Sequence, residues 1–534
     1  MRAVTATLTA LLGGACAVPD AAMNADGLTM TTYGNSAMHG TPLTNSTVPG
    51  LELTVPFSET VGSAEVTGVV TFTKETMIAF ECTFDPGQIA FVWFRDHLVC
   101  HTRPVPFGNS PSSTDGCPEY PLPVKSGQVD PVIVHVYNVN ATASTKISVR
   151  WAELDAPLAK GSTPPTVPVT GLSPALPASE VQRRELQDKL KTGWSTWSYN
   201  MLGVVRLPDS SALTTALCKV SSGDCLVQTH IEDPAAQIRV GVFATDLSYW
   251  QFYLGYKGVN VSLSYSGGTG PLNMIAEPIG CGGAVNCSDY ALVVLPRFAW
   301  FRQGKVAVDE ASGSITLTPM GMPARNIVMT RAGETIALNN TQVAGAPQLV
   351  LGLGKGTVGM QESSSTGAVS PPTVEAITKV IQAAHDKEYA SYTKFGQYAE
   401  VKEALQAATM WNYIYTPAEY GPFMPVSRQW DFVKSPVNLD WGYVIFDWDN
   451  IFATYMTSLS SKELAYSNFI QVIRSKTAMG FVPNYSAGGT KSIDRTEPPI
   501  GAKVMLEMYK KFKDEWLVEL LFDDLLAWND WFVE

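Results

Sequence analysis

The hydrophobic pattern of this 534-residue chain changes its period once, near residue 374. Before that point, short runs of β-branched and aromatic residues are separated by Gly, Pro and Asp, which is typical of strands and turns. After it, apolar residues recur every three to four positions, as they do on one face of a helix. The sequence therefore predicts a multidomain protein in which all-β sandwich modules precede a helical domain.

The β-rich part divides into two blocks. In the first, Ile147, Val149 and Trp151 alternate with polar residues, so that strand has one dry and one wet face. A stretch dense in Pro, Ser and Thr then predicts a linker. The predicted domains are a β-sandwich over 27–155, the linker over 156–180, a second β-sandwich over 181–360 and a helical domain over 374–534.

The helical part contains six segments with helical spacing. Pro498 and Pro499 stand at the start of one of them, where a missing N–H is tolerated. The last segment runs to Glu534 without a Gly, a Pro or a capping cation, so we expect a chain that has been cut within a domain. The predicted helices are 374–390, 398–411, 448–459, 462–475, 499–513 and 515–532.

The amino terminus predicts export. Met1-Arg2 is followed by an apolar stretch that ends at Ala15-Cys16-Ala17, as in a signal peptide over 1–17. The alternative is a plain disordered terminus. No other stretch reaches the length of apolar residues that a membrane span needs, so we expect a secreted protein or one in the endoplasmic reticulum lumen.

Glycosylation sequons agree with an exported chain. Asn260 is the best placed, because Val259 and Val261 flank it on a predicted strand and leave it on the wet face. The glycosylation candidates are Asn45, Asn140, Asn260, Asn286 and Asn339, and Asn484 carries a sixth sequon.

Cysteine spacing favours disulfides over a metal site. No Cys-x-x-Cys pair is present and the six His are scattered, so we predict neither a structural zinc ion nor a cofactor. Cleavage of the signal peptide would remove Cys16, and the three pairs predicted below then leave Cys82 without a partner. The predicted pairs are Cys218 with Cys225, Cys281 with Cys287, and Cys100 with Cys117.

The net charge of the chain limits the kinds of ligand that it could bind. The net charge is −12 and the isoelectric point is near 5.1, which excludes a basic surface that could replace the counterions of nucleic acid. Thirteen Trp, 20 Tyr and 21 Phe suit a neutral polar ligand. We therefore expect a sugar ligand, either an oligosaccharide or a small glycoside.

Two carboxylates lie inside the apolar segment 443–452. Buried acids are unfavourable unless they are paired or protonated, so such residues usually have a function. Desolvation beside Trp448 and Phe452 would favour the protonated form of Asp449, which a general acid needs. The alternative is that Asp449 caps the helix that begins there. The two roles are compatible.

Two further polar clusters could bind a sugar. Arg428 and Trp430 combine a donor for vicinal hydroxyls with a flat apolar ring, although Trp residues more often belong to the core. Asp494 and Arg495 lie in a polar loop before a helix, where the alternative is a turn in which the two pair with each other.

Together these segments resemble the (α/α)6 catalytic toroid of glycoside hydrolase family 63 and its mannosylglycerate-hydrolase-like relatives. Gly193-Trp194-Ser-Thr-Trp197 and Val204-Val-x-Leu207-Pro208 resemble the start of the β-sandwich that precedes that toroid. The segment Phe94–Val99 resembles part of a PA14 carbohydrate-associated module. The toroid motifs are Met424-Pro-Val-Ser-Arg428-x-Trp430, Phe446-Asp-Trp-Asp449-x-x-Phe452, Gly480-Phe-Val-Pro-Asn484, Asp494-Arg-x-x-Pro-Pro-x-Gly501 and Leu521-Phe-Asp-Asp-Leu-Leu-x-Trp528-Asn529.

The resemblance implies an inverting hydrolase of an α-linked glucoside or mannoside. Asp449 would protonate the leaving oxygen, and a Glu late in the toroid would activate water on the opposite face of the sugar. Only about half of the twelve toroid helices are visible, so no residue here receives the role of the base, and Asp523, Asp524 and Glu534 are not promoted to it. A non-catalytic carbohydrate-binding protein is the alternative. The substrate-binding candidates are Arg428, Trp430, Trp448, Asn484, Asp494 and Arg495.

Overall fold

The chain forms two units, Met1–Leu190 with Thr416–Glu534, and Lys191–Tyr415. The first unit combines a β-sandwich with helices, and the second combines two further sheets with two helices. The computed structural model describes residues 27–86, 88–95, 97–102, 122–138, 143–154, 165–198, 202–226, 236–281, 285–300, 302–330, 335–336, 338, 346–363, 371–417, 421–428, 443–477, 479–487 and 490–533.

The first sandwich stacks a seven-stranded and a five-stranded antiparallel sheet. The first sheet has the order β2-β1-β4-β9-β6-β7, with β12 beside β4, and the second has the order β11-β10-β5-β8, with β3 beside β10. The strands are β1 (Leu28–Tyr33), β2 (Thr44–Val48), β3 (Glu52–Val55), β4 (Ser63–Thr71), β5 (Thr76–Phe84), β6 (Gln88–Phe94), β7 (His97–His101), β8 (Leu122–Val124), β9 (Val129–Asn138), β10 (Thr145–Leu154), β11 (Val167–Pro168) and β12 (Leu172–Ser173).

Alternation along β10 builds the core of this sandwich, as the sequence predicts. Ile147, Val149 and Trp151 are buried in this core, while Lys146, which precedes Ile147 on the same strand, is exposed. The opposite face of the larger sheet is buried too, since Trp93 on β6 packs edge-on against His135 on β9. That Trp is therefore a packing residue.

A disulfide joins the two sheets of the sandwich, and it corrects the predicted pairing. Cys82 on β5 bonds Cys100 on β7, with their Cα atoms 6.3 Å apart, so the predicted Cys100–Cys117 bond is wrong. Both Cys82 and Cys100 point into the core. Spacing along the chain could not reveal a bond between strands of stacked sheets. Cys117 lies outside the described residues.

A helix that the sequence analysis missed follows the sandwich, α1 (Ala178–Leu190). Four of its five buried residues are polar or charged, so it shows no apolar stripe. Ion pairs replace the stripe: Arg184 bonds Glu65 of β4 at 2.7 Å, and Glu180 pairs with Arg183 at 2.8 Å. Charge pairing, which leaves no periodic signature, fixes this helix.

The second unit contains a six-stranded and an eight-stranded antiparallel sheet. The first has the order β13-β14-β15-β21-β25, with β16 beside β15, and the second runs β17-β18-β19-β20-β26-β24-β23-β22. The strands are β13 (Gly193–Ser195), β14 (Gly203–Leu207), β15 (Ser211–Lys219), β16 (Asp224–Leu226), β17 (Ala236–Phe243), β18 (Tyr249–Tyr256), β19 (Val259–Ser266), β20 (Asn273–Ile279), β21 (Tyr290–Phe298), β22 (Gly304–Asp309), β23 (Ser314–Pro319), β24 (Arg325–Met329), β25 (Leu349–Gly352) and β26 (Val358–Ser363).

The helices α2 (Val374–Thr393) and α3 (Ala399–Met410) belong to this second unit. Thr373 caps α2 by accepting a hydrogen bond from the Ala376 N–H, and Ile377 and Ile381 pack on the eight-stranded sheet beside Tyr249. The change of period near residue 374 is therefore confirmed as a change from strand to helix.

Two predicted disulfides of the second unit are confirmed. Cys218 and Cys225 face each other across the β15–β16 pair, with Cα atoms 4.1 Å apart, and Cys281 bonds Cys287 at a Cα distance of 5.7 Å. Asn260 on β19 is exposed, as predicted, but Ser262 and Ser264 are buried. Asn45 and Asn286 are also exposed, Asn484 is half-buried, and Asn140 and Asn339 lie outside the described residues.

The chain then returns to the first unit with four helices and a small sheet. They are β27 (Ile445–Phe446), α4 (Asp447–Thr457), α5 (Lys462–Arg474), β28 (Tyr485–Ala487), β29 (Thr490–Lys491), α6 (Gly501–Phe512) and α7 (Glu515–Asp530). All six helices predicted after residue 374 are present, with ends shifted by up to three residues. Their arrangement as half of a toroid stays a prediction, as do the domain limits.

Membrane insertion through a helix finds no support in the described residues. None of the helices there has both the length and the apolar composition that crossing a bilayer requires. The proposed signal peptide over 1–17 lies outside the described residues.

Candidate active site

The site begins at the first turn of α4. Phe446 is the N-cap residue and its backbone is extended, so the helix starts at Asp447 and places Asp449 in the first turn. The Asn450 side chain accepts a hydrogen bond from the Phe446 N–H at 2.8 Å, which satisfies a helix donor. Asp449 therefore does not occupy the N-cap position, and the capping alternative is wrong.

Asp449 itself lies in solvent. Its side chain is exposed, and Trp448 and Phe452 keep 39% and 46% of their surface accessible. The expected dry aromatic pocket around Asp449 is therefore wrong. The carboxylate is close to the positive end of the helix dipole, which favours an anion there.

The buried acid of this segment is Asp447, whose side chain is 0% exposed. Its Oδ2 accepts hydrogen bonds from the Thr496 hydroxyl at 3.0 Å and from the Glu497 N–H at 2.7 Å. Burial, together with the adjacent Glu497 carboxyl, raises the pKa of Asp447 to about 8. Of the two carboxyls in this apolar run, the desolvated one is therefore Asp447, while Asp449 is exposed.

The loop before α6 holds Asp447 in place and is itself held from two sides. Asn484 donates from Nδ2 to Glu497 Oε1 at 2.7 Å, and its backbone N–H donates to the Arg495 carbonyl at 3.1 Å. On the other side, the indole N–H of buried Trp528 in α7 donates to the Thr496 hydroxyl at 2.9 Å. Asn484 and the Asp494–Gly501 motif are therefore brought together with Asp447.

A buried amide network connects the loop that follows residue 421 with α4 and α5. Asn450 donates from its side chain to the Met424 carbonyl, and the Met424 N–H donates to Asn468 Oδ1 at 2.8 Å. Asn468 in turn donates to the Asn450 carbonyl at 3.0 Å and to the Thr454 hydroxyl at 2.8 Å. Sequence analysis missed Asn450 and Asn468, because a polar residue on a buried helix face produces no periodic signal.

Of the other predicted substrate-binding residues, Arg428 is buried and Asp494 and Arg495 are exposed. Arg428 is buried, and burial lowers the pKa of its guanidinium to about 9. Trp430 lies outside the described residues. Asp494 and Arg495 are exposed and pair with each other at 2.8 Å, which is the self-satisfied turn given as the alternative.

Asp524 in α7 belongs to a buried ion cluster instead of the site. It pairs with Arg474 Nε at 2.8 Å and with Lys476 Nζ at 2.6 Å, and Arg95 of the sandwich lies 3.8 Å away. Although burial opposes ionisation, these cations hold the pKa of Asp524 well below its usual range. A carboxylate held between cations in this way is a poor proton acceptor.

The described residues contain no group of three or more His, Cys, Asp or Glu side chains that could hold a metal ion.

Comparisons with known proteins give no family. No family model matches the sequence, and no curated protein matches it either. Solved structures to which it is similar include a bacterial glucoamylase complexed with acarbose, with 11% sequence identity and a TM-score of 0.31 over 63% of this chain and 57% of that one.

Two other solved structures are more distant still. A β-glucosidase from Kluyveromyces marxianus has 15% identity and a TM-score of 0.18 over 24% of this chain, which spans only 15% of that protein. An anti-sigma factor domain-containing protein from Clostridium clariflavum has 9% identity and a TM-score of 0.21, over 63% of this chain and 88% of that one. Likenesses of this size assign no function.

Proposed function

We propose that the chain is an O-glycoside hydrolase that inverts an α-linked glucoside or mannoside, with Asp449 as the acid that protonates the leaving oxygen. One observation carries the proposal. The five segments that resemble the family 63 toroid are separate stretches of 424–529, and they meet in one continuous hydrogen-bonded cluster in the first unit.

The cluster can be followed from segment to segment. The Met424 segment bonds Asn450 of α4, and α4 also contributes Asp447, which bonds the segment containing Thr496. The Thr496 segment bonds Asn484 through Glu497, and it also bonds Trp528 of α7. This arrangement supports the proposal that the segments are parts of one site.

The first turn of α4 would present the reacting group. Trp448 offers an exposed ring on which an apolar sugar face could stack, and Asp449 is adjacent to it in the same turn. A bound sugar would displace water from both side chains. Buried Arg428 in the neighbouring segment, Asn484, Asp494 and Arg495 complete the proposed binding residues, with Trp430 outside the described part of the chain.

We assign no residue of the described part of the chain to the role of the base. Inverting enzymes separate the two carboxyls by about 6.5–9.5 Å, and retaining enzymes by about 5–5.5 Å. Asp447 and Glu497 are within hydrogen-bonding range of each other, too close for either arrangement. We therefore propose the acid alone.

The broader proposal includes the setting of the site. We propose that 374–534 forms part of an (α/α)6 toroid and that the first sandwich is PA14-like. Three disulfides support an oxidising compartment, either outside the cell or in the endoplasmic reticulum lumen.

Hydrolysis of α-glucosides and α-mannosides tests the proposal. We expect Asp449→Asn to lower kcat about 10²–10⁴-fold, the usual contribution of a general acid. Asp523→Asn is the matched control, because Asp523 is an exposed acid on α7 to which we assign no role in the site. Equal rates for wild type and Asp449→Asn, or no hydrolysis by wild type, would count against the proposal.

A non-catalytic carbohydrate-binding role is the second candidate, and the exposure of Asp449 favours it. In that case the full chain would bind immobilised α-glycans without releasing sugar. Asp449→Asn would leave that affinity nearly unchanged.

A further inference from the structure

We propose that Asp447 and Glu497 share a single proton, and that the resulting hydrogen bond fixes the first turn of α4, making Asp447 a positioning residue for Asp449. The catalytic consequence depends on the proposed function. The shared proton itself does not.

The geometry supplies the first argument. Both donors available to Asp447 go to Oδ2, and its Oδ1 is buried without a hydrogen-bond partner. Glu497 matches it: Oε1 accepts from Asn484, while Oε2 is buried without a partner. The two carboxyls lie within hydrogen-bonding range of each other. Since ionised carboxylates only accept, a hydrogen bond between them requires one proton.

Electrostatics supplies the second argument. Two adjacent carboxylates repel strongly when they are removed from water, and a single shared proton removes that repulsion. Burial and the neighbouring Glu497 carboxyl raise the pKa of Asp447 to about 8, while the Thr496 hydroxyl bond opposes this change. At neutral pH the pair therefore carries one negative charge.

Within the described residues, the cations of this loop and of β29 have other partners than the carboxyl pair. Arg495 pairs with Asp494 in solvent, and Lys491 on β29 donates to the Ser475 and Lys476 carbonyls. The other charged groups on the elements around α4 are also engaged or exposed. They include Asp449 on α4 itself, Lys462 with Asp514 and Glu463 with Lys189 at α5, Lys503 and Lys510 with Glu507 and Lys511 with the Ser458 carbonyl on α6, and Asp524 on α7 with Arg474 and Lys476.

The shared proton has a structural consequence. It lies between Asp447 Oδ1 and Glu497 Oε2, bonded to one oxygen and accepted by the other. Its loss to water leaves two carboxylates in contact and removes the bond between the start of α4 and the loop before α6. The first turn of α4 would then be held less firmly, and the Asp449 carboxyl in that turn would no longer be oriented in one direction.

The test follows unfolding of the full chain by urea at several pH values. Between the ordinary Asp pKa of 3.8 and about 8, the folded chain binds one proton more than the unfolded chain. Stability from this pair is therefore lost as pH rises. We expect the folding equilibrium constant of wild type, relative to Asp447→Asn, to fall by up to tenfold per pH unit in this window.

Asp447→Asn imitates the protonated acid, because its amide accepts from Thr496 and donates to Glu497 at every pH. Glu497→Gln does the same from the other side, and it keeps the proposal testable if Asp447→Asn fails to fold. Asp523→Asn, an exposed acid, should retain the pH dependence of wild type. A difference infrared spectrum near neutral pH should show a protonated carboxyl band that both amide variants lose.

Three results would overturn the proposal. The first is the same pH dependence in wild type, Asp447→Asn and Glu497→Gln. The second is the absence of the protonated carboxyl band. The third is stabilisation of wild type, but not of Asp447→Asn, by added Ca²⁺ at alkaline pH, which would mean that the pair holds a cation. None of these readouts requires hydrolysis, so failure of the proposed enzymatic function would leave them interpretable.

Discussion

Replacing Asp524 by Asn should destabilise the first unit far more than replacing its neighbour Asp523. Asp524 is 1% exposed and lies between Arg474 at 2.8 Å and Lys476 at 2.6 Å. The Asn side chain has nearly the same volume, so the substitution removes the charge while leaving the packing intact. Two buried cations would then face an uncharged amide.

The size of the effect follows from this burial. Removing one member of a buried ion pair usually costs about 3–5 kcal/mol, because the remaining charge keeps its desolvation penalty. Arg474 also pairs with Glu180 of α1 at 3.2 Å, which leaves it a second partner, so we expect about 3 kcal/mol. The exposed Asp523→Asn control should change stability by less than about 0.5 kcal/mol.

The pH dependence gives a second, independent check. The cations hold the pKa of Asp524 below its usual range, so its stabilisation is present above the ordinary Asp pKa and is lost as pH falls. Urea unfolding followed by Trp fluorescence should show the largest gap between wild type and Asp524→Asn near pH 7, and a narrower gap under acid conditions. A gap below about 1 kcal/mol at neutral pH would refute the reasoning.

Two further perturbations test the sandwich and the amide network. Replacing both Cys82 and Cys100 by Ala should lower the free energy of unfolding by about 3 kcal/mol, because the disulfide links residues 18 positions apart. Urea denaturation of the variant is compared with that of reduced wild type. A denaturation midpoint equal to that of oxidised wild type would contradict this prediction. Asn468→Ala should cost about 2–4 kcal/mol by leaving the Met424 N–H and the Thr454 hydroxyl without this buried partner. Asn468→Asp should cost at least as much, because its buried carboxyl loses both donated bonds and faces the Asn450 carbonyl, and a clearly smaller loss than for Asn468→Ala would contradict that account.

Local periodicity made the element types predictable. The alternation of Ile147, Val149 and Trp151 gave β10, and the spacing after residue 374 gave six helices with ends within three residues. Short separations along the chain predicted the Cys218–Cys225 and Cys281–Cys287 bonds. These signals depend on neighbours along the chain, which the sequence contains directly.

Contacts between distant segments were not predictable in the same way. The Cys82–Cys100 bond joins stacked sheets, and α1 is held by Glu180 and Arg184 with almost no apolar stripe. In the candidate site, burial distinguishes Asp447 from Asp449, although both stand in the same aromatic run. Which of them becomes dry depends on the loop containing Glu497, and one sequence cannot reveal that packing.

The configuration of the released sugar tests the central claim most directly. Wild type and Asp449→Asn would be incubated with α-glucosides and α-mannosides while proton NMR follows the first anomer to appear. The account predicts that wild type releases the β-anomer first and that the variant releases almost none. Release of the α-anomer, or equal release by both chains, would contradict it.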